Sequence, residues 1–359
     1  GTVIPINNMK LKIAKIRGIE SHGMLCSEYE LNESADKEGI IELVKKEKNI
    51  GEKYFKNVGE NTINISITPN RPDCLGVRGL ARDLASSGLG KLKKSSSIKL
   101  DQKFKSPIKV SIKKEKEQGC GIFGSIYIKD VKNKESPDWL QKRILSLGLK
   151  PISAIVDITN FIMFDLNRPL HAYDADKINK EIIVRNSLNG ESFEALDNKK
   201  YTLQNNMCSI TDRTGVLGLG GIIGGTSSGT EFSTKNILLE SAYFFPSHIR
   251  KTSKKLNINT DAKFRFERGI DPDSIKLGLE VGARMIIDIC GGKASKISID
   301  GKIKDERKII NLEAEKFFKI IGFSISTAEI KKILSSLGCT LKISGKKIKV
   351  FPPTWRPDI

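Results

Sequence analysis

The sequence predicts a multidomain α+β protein, and three observations carry that expectation. The chain has 359 residues, more than one hydrophobic core ordinarily serves, so two to four domains are expected. Runs that alternate apolar and polar residues are interspersed with runs of helical period, and neither type dominates. Glycine, proline and serine separate them, as at Gly18, Gly23, Gly148, and Gly291 with Gly292.

From Gly1 to about Ser34, alternation through Leu11, Ile13 and Ile16 with turns at Gly18 and Gly23 predicts the last strands of a small β-barrel. Asn61 to Ile67, NINISIT, predicts a strand. The turn Asn70 to Pro72 then starts a helix with Val77, Leu80, Ala81 and Leu84 on one stripe. Arg71, Arg78 and Arg82 flank that stripe, placed either for phosphate or for structural ion pairs. Gly90 to Lys105, rich in Lys and Ser, is expected to be a linker.

A larger domain follows. Ser136 and Pro137 start a helix with Trp139, Leu140, Ile144 and Leu147 as its stripe, and Gly148 stops it. A second helix turns Ile155, Ile158, Ile162 and Leu166 inward, which leaves Asp157, Asn160 and Phe164 on the other face. His171, one of three histidines, follows in the loop RPLHAYD, and a lone histidine is ordinarily a satisfied structural residue. Strands are expected at Ile182 to Arg185, Ser192 to Leu196 and Cys208 to Thr211. The run GLGGIIGG, Gly218 to Gly225, lacks the Gly-Lys-Ser/Thr ending of a phosphate loop. Its glycines mark a close backbone approach to either a neighbouring strand or a ligand.

Asn236 to Pro272 is the densest stretch. A short apolar strand, Ile237 to Leu239, ends on Glu240, and Pro246 with Ser247 starts a helix. Thr260, Asp261 and Ala262 precede Phe264, Arg265, Phe266, Glu267 and Arg268, where Glu267 between two arginines suggests a fixed ion network. Such a mixture of paired charge and aromatic rings is expected to form the floor and wall of a site. A packing helix follows, with Ile275, Leu279, Ala283, Ile286 and Cys290 on one side. Beyond Lys308, two helices, Glu313 to Ile321 and Thr327 to Leu337, lead to a ribbon turning at Ser344 and Gly345.

Lys and Arg number 61 against 42 Asp and Glu, a net charge of +19. That balance favours polyanions, nucleic acid above all, unless it is a compositional habit of the source. Six scattered cysteines with no CxxC pair signal neither a zinc cluster nor a redox motif. With no signal peptide or long apolar run, a cytoplasmic setting and no membrane are expected.

Five stretches in fixed order resemble the beta subunit of bacterial phenylalanyl-tRNA synthetases. They are GMLCSE at Gly23, TPNRPDCLGVRGLARDLA at Thr68, RPLHAYDADK at Arg168, the run from Asn236 to Pro272, and PPTWRPDI at Pro352. The resemblance implies a partial OB-like β-barrel, a central α/β editing domain and a C-terminal winged-helix-like module. Their expected bounds are 1–58 for the end of the tRNA-binding barrel, 59–105 for a strand-helix segment and linker, 106–303 for the editing domain and 304–359 for a truncated module. It further implies transfer RNA for phenylalanine and an alpha subunit, in an alpha2-beta2 heterotetramer, as partners, with ATP used by the alpha subunit.

The activity that the resemblance implies for this segment is hydrolysis of tyrosine wrongly esterified to that tRNA. An apolar pocket rejects an added hydroxyl only about 100-fold, so a second site that rewards the hydroxyl is needed. By resemblance, Glu240 accepts the tyrosine hydroxyl, against the plainer reading of a strand-end salt bridge with Arg265. Gly224 and Ala262 are small wall residues of the substrate pocket. Asn160 and Thr260 place ester and water, and His171 lies near the scissile bond. Asp358 matches the first of several acidic residues assigned to magnesium, the rest expected just beyond Ile359. No Ser-His-Asp or Cys-His set is evident, which favours a water nucleophile. A non-catalytic tRNA-binding scaffold is the alternative, and a DNA-binding protein built on the terminal module ranks below it.

Overall fold

The structure, a computed structural model, describes residues 1–31, 39–42, 62–93, 98–344 and 347–359. Residues 32–38 and 43–58 of the expected barrel, residues 59–61 and 94–97 of the expected strand-helix segment and linker, and the ribbon turn at Gly345 lie outside them. Two compact units emerge, one of Gly1–Asn64 with Asp138–Pro151, the other of Ile65–Pro137 with Ile152–Ile359.

In the first unit, β1 (Val3–Ile4) pairs with β2 (Met9–Lys10), and β3 (Ala14–Ile16) with β4 (Ile19–Ser21). Arg17 and Gly18, at φ 52° and 84°, form the two-residue turn whose positive φ matches strand twist. The expected alternation is therefore present as two separate hairpins. Ile13, Ile16 and Ile19 stay exposed because no further described strand covers them.

The expected strand, described over residues 62–67, carries no ladder; alternation marks a pleat but does not supply a partner. In the second unit, a 3-10 turn at Pro72–Leu75 leads into α1 (Val77–Ser86). Arg71 and Arg82 resolve as ion pairs: Arg71 Nε lies 3.0 Å from Asp73 and its Nη2 2.8 Å from Asp83, while Arg82 pairs with Asp73 and stacks 4.1 Å over Trp355.

Strand β5 (Lys109–Ile112) and the ten-residue β6 (Cys120–Lys129) follow. Helix α2 (Asp138–Ser146) belongs to the first unit and buries Leu140 and Ile144, whereas Trp139 is 48% exposed. Helix α3 (Ala154–Leu166) turns Ile155, Ile158 and Ile162 inward as expected. Its Asp157 is not free on the other face. It is fully buried, accepting from Ser136 Oγ at 2.6 Å and Ile152 N at 3.0 Å.

Next in order come β7 (His171–Asp174), β8 (Glu181–Asn186), β9 (Ser192–Glu194), β10 (Lys200–Thr202), β11 (Cys208–Thr211), β12 (Val216–Leu219), β13 (Ile223–Gly224) and β14 (Ile237–Phe244). Helices α4 (Pro246–Leu256), α5 (Asp261–Phe266) and α6 (Ile275–Cys290) lead to β15 (Lys293–Ala294) and β16 (Ser298–Gly301). One sheet has the order β13-β12-β11-β8-β5, all antiparallel except β5 with β8. The other runs β15-β6-β14-β7, with β16 also on β6. Their facing side chains, among them Tyr173, Leu238 and Ala242 from one and Ile182, Ile210 and Leu217 from the other, make the main core. Helices α3 and α6 cover the far face. Gly282 of α6 lets the helix approach, since a Cβ there would meet Leu239 Cδ2 at 2.8 Å.

The terminal module has one strand more than expected. β17 (Ile310–Glu313) precedes α6's successors α7 (Ala314–Ile321) and α8 (Thr327–Ser336) and pairs with β19 (Lys347–Phe351). With β18 (Thr340–Ser344) this makes a three-stranded sheet packed on Ile330. The apolar residues of β17 were indistinguishable from a helix start, because the run is too short to show its period.

Candidate functional site

Strand β14 is the axis of the site. The sequence reading stops it at Glu240, but the strand continues to Phe244, and the carboxylate stands mid-strand. His171 is likewise the first residue of β7 rather than a loop residue, directly opposite Glu240 in the ladder. Directly opposed residues share a sheet face, and Tyr173, two residues on, shares it too. That face looks onto the second sheet; Leu239 and Ser241 point to α6.

A cavity of about 210 Å³ opens there. It is lined by His171, Tyr173, Gly224, Glu240, Ala262 and Phe266, together with the glycine run from Gly218. Four expected site residues, His171, Gly224, Glu240 and Ala262, thus meet in one cavity. Of the two uses left open for the glycine run, the approach to a neighbouring strand is formed. Gly218 pairs with Gly224 across the β12–β13 ladder, and the backbone from Gly218 to Gly224 walls the cavity. A Cβ on Gly224 would lie 2.5 Å from His171 Cε1 and 2.9 Å from Nε2.

Thr260 and Asn160 do not line the cavity. Thr260 caps α5: its Oγ1 accepts from Lys263 N at 3.1 Å and donates to Ile222 O at 2.7 Å, which fixes a lining residue. Asn160 is half-buried on α3. Asp358 is engaged elsewhere, taking two bonds from Arg356, at 2.8 and 3.0 Å, and one from Asn70 at 3.2 Å. Burial pushes its carboxyl up, but Arg356 and Asn70 outweigh that and hold it below the usual range.

Electrostatics divide the two central groups. Burial pushes Glu240 up from 4.5 to about 7, against the pull of the Tyr173 hydroxyl, which donates to Oε2 at 2.5 Å. Burial draws His171 down to about 4, so it is neutral at pH 7. Its Nε2 is buried without a hydrogen-bond partner among the described residues. The alternative reading of Glu240, a salt bridge with Arg265, is not formed among the described residues. Arg265 pairs with Asp261 at 3.2 Å and stacks 4.3 Å over Phe164. Glu267 is held by Lys263 at 3.0 Å and Arg268 at 2.7 Å, helical spacing having replaced Arg265 in that network.

One residue of the site, Tyr173, and one that anchors it from behind, Arg168, escaped the sequence reading. Tyr173 was readable only once His171 was known to be in a strand, when period two places both on one face. Arg168 is fully buried, its Nε 2.9 Å from Ser274 Oγ and its Nη1 2.7 Å from Ala242 O, with Nη2 donating to Asp271 O. Burial draws its guanidinium down to about 10, still charged at pH 7.

The B3/4 domain family matches residues 119–291, which hold the cavity, and the tRNA synthetase B5 domain family matches residues 310–359. These are modules of an aminoacyl-tRNA synthetase. The chain is 43% identical over 366 residues to the phenylalanine--tRNA ligase beta subunit of Ruegeria pomeroyi, covering 100% of this chain and 45% of that protein. To the same subunit of Cereibacter sphaeroides it is 45% identical over 362 residues, covering 100% and 44%. The chain belongs to the phenylalanine--tRNA ligase beta-subunit family, and it spans less than half the length of these relatives. An N-terminal fragment of the phenylalanyl-tRNA synthetase beta subunit from Pyrococcus horikoshii overlaps 81% of this chain and 80% of that one. Its TM-score of 0.39 at 17% identity is too loose to match residues through.

Proposed function

We propose that this chain carries the hydrolytic editing site of a phenylalanine--tRNA ligase, acting on tyrosine wrongly esterified to the phenylalanine tRNA. The observation that supports it most is the opposition of Glu240 and His171 in one cavity, with Gly224 leaving room beside the His171 ring. The phenol of a tyrosyl ester pairs with Glu240. A phenylalanyl ester leaves Oε1 of that buried carboxyl unpaired, at a cost of about 1–3 kcal/mol.

In this reading water attacks the ester carbonyl, the bond from carbonyl carbon to ribose oxygen breaks, and that oxygen leaves with a proton. His171, neutral at pH 7, offers a lone pair or a ring N–H to the water or to the leaving oxygen. Thr260 acts through Ile222, whose carbonyl it holds. Positioning supplies much of the rate, because no serine, threonine, cysteine or lysine is among the described residues that line the cavity.

The same reading gives the chain tRNA and an alpha subunit as partners, in an alpha2-beta2 assembly, with aminoacylation and ATP use assigned to alpha, in the cytoplasm. Among the described residues no helix is long and apolar enough to cross a membrane. Magnesium does not fit the residues at hand. Asp358 is neutralised by Arg356, and the one described acidic cluster, Asp73 with Cys74 and Asp83, is held by Arg71.

The test is release of tyrosine from preformed tyrosyl-tRNA specific for phenylalanine, comparing this chain, its Glu240→Ala variant and buffer. Release by the parent alone supports the editing reading. Equal hydrolysis of tyrosyl and phenylalanyl esters removes the specificity claim. No release from folded chain, alone or with alpha and full-length beta, leaves the tRNA-binding scaffold as the better reading; Thr260, engaged as a helix cap, is the observation on that side.

A further inference from the structure

We propose that Tyr173 is a positioning residue that sets the specificity of this cavity: its hydroxyl ties down Oε2 of Glu240 and leaves Oε1 as the acceptor for a substrate phenol. The inference rests on the editing reading and adds to it a group that the reading does not use. Tyr173 stands opposite Leu238 on β7, diagonal to Glu240 across the ladder, where long side chains reach one another. It is 2% exposed, its ring stands edge-on to His171 at 4.4 Å, and its backbone bridges to Gly229. The ring is therefore fixed, and its hydroxyl oxygen with it.

Among the described residues Tyr173 is the only hydrogen-bond partner of Glu240, and it uses one of the two carboxylate oxygens. A carboxylate free to rotate accepts a phenol in two poses. One held at Oε2 by a fixed donor has a single remaining pose, so less freedom is lost when the substrate binds. The protein thus stores one phenol on this carboxylate and recognises a second beside it. The incoming hydroxyl adds to the existing bond and does not have to displace it.

The bond also bears on charge. Burial favours the neutral carboxyl of Glu240, and the Tyr173 hydroxyl opposes it by stabilising the ionised form. Removing the hydroxyl therefore moves the ionisation of Glu240 to higher pH, and with it the pH at which tyrosine is best told from phenylalanine.

The experiment is hydrolysis of tyrosyl- and phenylalanyl-tRNA by the parent, Tyr173→Phe, Glu240→Ala and Glu240→Gln from pH 6 to 9, in the protein form that releases tyrosine. Tyr173→Phe keeps the ring. The expected result is a KM for the tyrosyl ester raised about tenfold, equivalent to about 1.4 kcal/mol, with kcat and the phenylalanyl reaction little changed. The pH profile of the preference moves upward. In Glu240→Gln, which still accepts from Tyr173, the preference loses its pH dependence; this arm also serves if Tyr173→Phe does not fold. A Tyr173→Phe enzyme with the parental KM and pH profile, while Glu240→Ala has lost the preference, overturns the role of Tyr173 and leaves the editing pocket standing. A Glu240→Ala enzyme that keeps the preference overturns both. A preference in Glu240→Gln that still follows pH as in the parent also overturns the inference.

Discussion

Replacing Glu240 by Gln changes how stability responds to pH, and the size of the change follows from burial. Glu240 titrates at about 7 in the folded chain against 4.5 ordinarily. Between those values the folded state holds a proton that the unfolded chain has lost, so stability falls as pH rises through this window. At 1.36 kcal/mol per pH unit the loss comes to about 3 kcal/mol. His171 acts with the opposite sign: drawn down from 6.5 to about 4, it makes the unfolded chain the better proton binder there, and stability rises with pH. In the parent the two slopes cancel over roughly pH 4.5 to 6.5. Gln keeps the bond from Tyr173 and cannot ionise, so only the His171 slope remains. Urea unfolding of parent and variant, followed by circular dichroism at half-unit steps from pH 4 to 8, isolates the difference. The stability of Glu240→Gln relative to parent is expected to rise by about 3 kcal/mol across that range. A difference that stays constant with pH refutes the burial of an ionisable carboxyl at this position.

Gly224→Ala places a Cβ 2.5 Å from the buried His171 ring; thermal unfolding should show a loss of about 1–3 kcal/mol, and the tyrosine-release assay no activity. Arg168→Met leaves the carbonyls of Ala242 and Asp271 without their donor and should cost about 3 kcal/mol or more in urea unfolding. Thr260→Val removes the cap of α5 and should cost about 1 kcal/mol, with a KM effect on hydrolysis through Ile222. Millimolar magnesium should leave the unfolding midpoint unchanged, since Arg356 holds Asp358; a saturable stabilisation would contradict that.

The helices were legible from their spacing and punctuation, and α3, α4 and α6 fall where periodicity put them. The strands around the site were less so. A glutamate after Ile237 to Leu239 reads as the end of an apolar run, because nothing local announces that Tyr173, far away in sequence, supplies a partner for a buried carboxyl. His171 reads as a loop residue behind Pro169 for the same reason: its ladder partner is in β14. Glu240, Gly224 and Ala262 were reached through resemblance, not through period or charge. The pairing of Arg265 with Asp261 was readable at helical spacing, but only after α5 was known to exist.

Arg168 gives this arrangement a further property. One enclosed cation fastens the strand bearing Glu240 to the turn that launches α6, from the side of the sheet away from the cavity. The frame and the lining are thus maintained by different residues. A change in a lining side chain such as Leu196 or Ile223 leaves this anchor in place, so the shape of the cavity and the position of the strand behind it are set separately.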